Sequence, residues 1–88
     1  MRRIKLYRVE ADGRDSVFIA ARTSDHAAEI YVTHDVAAGR EAAEFSIQRV
    51  DDKLPPEQQL GLDDMLAHGV TGLAGIDPLF GWVVTEAM

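Results

Sequence analysis

The stretch Ser16-Val-Phe-Ile-Ala-Ala-Arg22, "SVFIAAR", starts β-branched and aromatic and is apolar on both alternating faces. A half-buried strand alternates apolar with polar residues, because successive side chains point to opposite faces of a sheet. A strand without a polar face must lie inside its sheet, covered on both sides. The chain therefore needs a layered fold, with elements packed on each face of a sheet. Its 88 residues suffice for one such domain, taken as 1–88, with little to spare.

The flanking pattern fits. Residues 3–9, "RIKLYRV", alternate loosely as a strand, and "EADGRD" (10–15) offers Asp12-Gly13 as a hairpin turn. "TSDHAAEIYVTHDVAAG" (23–39) predicts a long helix, capped by Thr23, Ser24 or Asp25 and stopped at Gly39. "AEFSIQRV" (43–50) alternates, with Phe45 and Ile47 inward and Glu44, Ser46 and Gln48 outward. "DDKLPPE" (51–57) reads as a linker, since its two prolines rule out a strand. A short helix is expected from about Leu62 to His68, then a connecting loop "GVTGLAGIDP" (69–78). A last strand (79–86) would place Phe80, Trp82 and Val84 on one face. The expected order is β-β-α-β-α-β: an α+β fold with a small four-stranded, mainly antiparallel sheet, one long helix packed across it and a short second helix. One long helix covers one face, so the other falls to Leu60, Leu62, Leu66, Leu73 and Ile76 or to a second copy in a homodimer.

Cysteine is absent, which excludes disulfides, thiolate metal sites and cysteine nucleophiles. A small domain without disulfides is expected to be cytoplasmic. The start "MRRIKLYRVE" has no signal-peptide pattern, and no apolar run is long enough to span a bilayer. Twelve alanines, with seven Arg against two Lys, match the usage of a GC-rich bacterial genome. Charge is divided along the chain. Residues 1–22 hold six cations and three anions, +3, whereas residues 23–88 hold three cations and twelve anions, −9. Such asymmetry concerns partners rather than fold.

No chemical signature emerges. His26 and His34 are eight residues apart on the expected helix, roughly 12 Å along its axis, whereas helical zinc pairs sit four apart. His68 adjoins Gly69, where a histidine commonly meets helix C-terminal carbonyls. "GVTGLAG" lacks the preceding strand, following helix and nearby Lys of a phosphate loop; no Lys or Arg occurs after Lys53. The pairs Asp51-Asp52 and Asp63-Asp64 suit solvated loops and helix starts better than acid/base work. No serine sits in a nucleophile elbow. Neither catalysis, a metal nor a cofactor is expected.

Two binding readings follow. In the first, acids exposed on the long helix, Asp25 and Glu29, join Glu41 and Glu44 against a basic partner protein, with Tyr31, His34 and Asp35 contributing. In the second, Arg2, Arg3, Lys5, Arg8 and Arg14 of the N-terminal hairpin meet nucleic-acid phosphates and Tyr7 stacks on a base. The acidic balance, pI about 4.8, favours the first.

Asp35 is the anomaly, because it interrupts an apolar arc of Ala27, Ala28, Tyr31, Val32, Val36 and Ala38. The helix loosens after Thr33, or Asp35 pairs with Arg22 or Arg40, or that end faces solvent or a partner. The run "FIAARTSDHAAEIYV" resembles the strand–A-x-S/T-x-x-x-A–helix junction of small accessory proteins from bacterial mobile elements. In size and charge the chain resembles phage-encoded inhibitors such as anti-CRISPR proteins. That likeness implies a phage- or plasmid-encoded inhibitor blocking a nucleic-acid-binding surface of its target.

Overall fold

The chain runs β1 (Lys5–Ala11), β2 (Val17–Ala21), α1 (Ser24–Ala37), β3 (Phe45–Arg49), α2 (Pro56–Gln59), α3 (Leu62–Ala67), β4 (Gly72–Asp77) and β5 (Gly81–Glu86). This computed structural model describes residues 4–13, 16–39, 44–51 and 53–86. Arg2, Arg3, Arg14, Arg40 and Glu41 lie outside them.

The fold is α+β, and its sheet has five antiparallel strands in the order β3-β1-β2-β4-β5. β2 is the middle strand, as its two apolar faces require. Val17, Ile19 and Ala21 pack with the α1 layer, while Phe18 and Ala20 pack with the α3 layer. The β1–β2 turn holds Gly13 at φ 73°, a left-handed conformation open to glycine at little cost.

The expected four strands become five because "GVTGLAGIDP" is not a loop. Its centre is β4, paired to both β2 and β5. Glycine and alanine obscure a strand signal, yet small residues are what this position needs. Phe18 of β2 and Trp82 of β5 flank β4 and meet edge to face, ring centroids 5.5 Å apart. Ala74, opposite both Phe18 and Val84, leaves room for that contact. The linker expected at 51–57 also gives way, since α2 begins at Pro56, a position where proline's missing N–H costs nothing.

Each sheet face has its own core. Tyr7, Val9, Ile19 and Ala21 meet Ala27, Ile30 and Tyr31 of α1, joined by Phe45 and Ile47. Leu6, Ala20 and Trp82 meet Leu62 and Leu66 of α3. Thr23 caps α1 by accepting the His26 N–H at 3.1 Å. α1 buries Ala27, Ile30, Tyr31 and Asp35, which share one helical face. The expected arc is thus corrected: Ile30 belongs to it, while Val32 and Val36 are exposed. Apolar residues occur nearly all round this helix, so their spacing alone does not select a face.

Asp35 lies on the buried face at 6% exposure. α1 continues to Ala37, so loosening after Thr33 and exposure to solvent are both overturned. Among the described residues no helix is long and apolar enough to cross a membrane.

Candidate docking groove

The segment after Lys53 carries five acids (Glu57, Asp63, Asp64, Asp77, Glu86) and neither Lys nor Arg. It folds into α2, α3 and the β4–β5 hairpin, which enclose a groove of about 650 Å³. From the helices, Leu60, Gly61, Asp64, Met65 and His68 line it; Leu79, Phe80, Gly81, Trp82 and Val84 line it from the hairpin. Val70 completes the wall. The lining is mostly apolar and its charged member is acidic.

Specific bonds fix each wall. Trp82 Nε1–H donates to the Gln58 carbonyl at 2.6 Å, holding α2 to the sheet. Gln59 Nε2 donates to the Asp51 carbonyl at 3.1 Å. His68 Nδ1 lies 2.6 Å from the Asp64 carbonyl; a carbonyl only accepts, so this nitrogen carries the proton. His68 thereby meets a carbonyl of its own helix, as its place beside Gly69 suggested.

At the hairpin tip, Asp77 Oδ1 accepts the N–H groups of Leu79 at 2.8 Å and Phe80 at 3.1 Å. Gly81, at φ 79°, turns the chain back into β5. Leu79 and Phe80 are consequently held outward, 80% and 76% exposed, and Leu60 across the groove is 82% exposed. Phe80 was expected to share a strand face with Trp82 and Val84; it lies in the turn, before β5 starts. Leu60 and Ile76, expected to cover the sheet, are also exposed, and Leu73 packs on the α1 side instead. The signal for this tip is "DPLFG": an Asp-Pro turn start and a glycine turn end around two large apolar residues.

The acids expected to bind a partner are distributed differently. Asp25 and Glu29 are exposed on α1, and His34 is half-buried. Tyr31 is buried against Phe45 with ring centroids 4.8 Å apart, and Asp35 is buried beside it. Neither Tyr31 nor Asp35 presents a surface to a partner. Glu44 lines a polar hollow of about 610 Å³ with Glu10, Asp12 and Arg8, where Arg8 pairs with Glu10 at 2.7 Å.

The described residues of the nucleic-acid reading do not share a surface. Lys5 and Tyr7 alternate onto the α1 face, whereas Arg8 points to the other. Tyr7 is buried, and that burial raises its phenol pKa, partly opposed by the Arg49 charge and aided by Asp51. No group of His, Cys, Asp and Glu suited to a metal occurs among the described residues.

No protein family, curated protein or solved structure matches this chain.

Proposed function

We propose that this chain is a non-enzymatic protein-binding module whose partner docks in the groove between α2–α3 and the β4–β5 hairpin. The observation that supports it is the outward display of Leu60, Leu79 and Phe80 at 76–82% exposure around a concave apolar floor. Contiguous apolar surface of this kind marks interaction sites, while singly scattered residues do not. The cation-free segment that builds the groove makes a basic partner surface the complementary one. In its specific form, the module is a phage- or plasmid-borne inhibitor covering a basic, nucleic-acid-binding surface of its target.

Affinity capture with wild type and with Phe80→Ser tests the reading. Phe80 rests on no core cluster, so the variant should melt with wild type, within about 0.5 kcal/mol. Its affinity for the captured basic protein should fall about thirtyfold, the loss typical of an aromatic hot spot. Equal capture by both proteins contradicts the groove as the docking site.

A further inference from the structure

We propose that the partner enters this groove as an added β-strand, an extended basic segment that pairs with the free edge of β5. The inference rests on the groove reading above and specifies its occupant. Among the described residues β5 pairs with β4 alone, so its outer edge offers unused N–H and C=O groups. Edge strands are commonly guarded by Lys, Pro or a bulge. β5, "GWVVTE", has neither Lys, Arg nor Pro. The opposite edge, β3, ends in Arg49, which Asp51 engages at 2.7 Å.

Position and charge agree with strand addition. Trp82 and Val84 of β5 line the groove, so a strand about 4.8 Å further out would set every second side chain on that same sheet face. Apolar residues there would meet Leu60 and Phe80. On the other face Val83 is exposed, and a second row of side chains would cover it. Backbone pairing supplies affinity in this mode, and alternate side chains supply specificity. The incoming strand must be basic, because Asp64 lines the groove and the segment from 54 onward carries five acids with no Lys or Arg. A second copy, edge to edge, would bring two such segments together, and their like charges disfavour it.

Three capped peptides separate the possibilities: one alternating Leu and Lys, one alternating Leu and Glu, and one with the Leu/Lys composition patterned for a helix. Binding to wild type and Phe80→Ser is read by titration, and β5 by amide hydrogen exchange. The expected result is that the alternating Leu/Lys peptide binds best and slows exchange across Gly81–Glu86. Added salt should weaken it, and Phe80→Ser should weaken it about thirtyfold.

Preference for the helix-patterned peptide, with β5 exchange unchanged, overturns strand addition. The groove reading survives that result if Phe80→Ser still weakens binding. Slowing of β5 exchange with rising protein concentration and no peptide assigns the edge to a second copy and overturns the proposal. Equal binding of the Leu/Glu peptide overturns the basic character of the strand. If no peptide binds, strand addition falls. The groove reading then falls with it only if capture of the partner protein is also indifferent to Phe80→Ser.

Discussion

Asp51 joins three segments within a few ångströms. Its carboxylate accepts Arg49 Nε–H at 2.7 Å and an Nη2–H at 3.0 Å, while its carbonyl accepts from Gln59 of α2. Burial pushes the Asp51 pKa up, but Arg49 and the backbone N–H groups of Asp51 and Leu6 outweigh it, so the net shift is downward. A lowered folded-state pKa means stability that is fully present above the ordinary value of 3.8 and lost as pH falls through the lowered one. Asp51→Asn should therefore cost about 1 kcal/mol at neutral pH, because Arg49 is half exposed and solvent screens the pair. The difference from wild type should shrink as pH drops below the ordinary carboxylate value. Urea titrations across the acid range check this; a gap that persists undiminished contradicts it. Asp35 is a different kind of carboxylate. It sits on the buried face of α1 because Ala27, Ile30 and Tyr31 choose that face, and it has an interaction there. Its place in the core makes it structural, which answers the anomaly that the sequence posed.

The short elements α2 and α3 depend on the sheet for their existence. Four and six residues are too few for a helix to persist alone in water. Leu62 and Leu66 bury α3 against Leu6, Ala20 and Trp82; α2, which buries no residue, is tied down by the Trp82–Gln58 bond and by the Gln59–Asp51 bond. Trp82→Phe keeps most of the ring but deletes the donor, and should cost about 1–3 kcal/mol. Amide exchange should quicken across Pro56–Leu60 more than in α1, and uniform quickening would deny α2 this dependence. β2, the Asp12-Gly13 turn and α3 were legible because each depends on local pattern or turn chemistry, and the α1 cap was legible only as one of Thr23, Ser24 and Asp25. β4 was not: its residues are selected by Phe18 and Trp82 meeting across it, a contact between positions 64 residues apart in the chain. The docking tip was half legible, since "DPLFG" announces a turn. That its two apolar residues face outward follows only from the Asp77 bonds and the start of β5 at Gly81.

Across the whole molecule, apolar cover and charge divide the surface. The sheet is covered on one face by α1 and on the other by α3, so dimerisation is not needed to bury its centre. On the β5 side Leu60, Leu79 and Phe80 stand exposed beside a segment without Lys or Arg, whereas the exposed Val32 and Val36 lie on α1. The acids of α1, Asp25 and Glu29, lie with the other helical layer, so partner contacts through α1 and through the groove are separable. A photoreactive benzoylphenylalanine placed at Leu79, and in a second protein at Val32 on the exposed side of α1, reads this directly in host-cell extract. Docking in the groove predicts one basic protein cross-linked from position 79, lost in the presence of excess wild-type chain, and nothing specific from position 32. A competed cross-link from position 32 with none from position 79 would place the partner on α1 and contradict the groove.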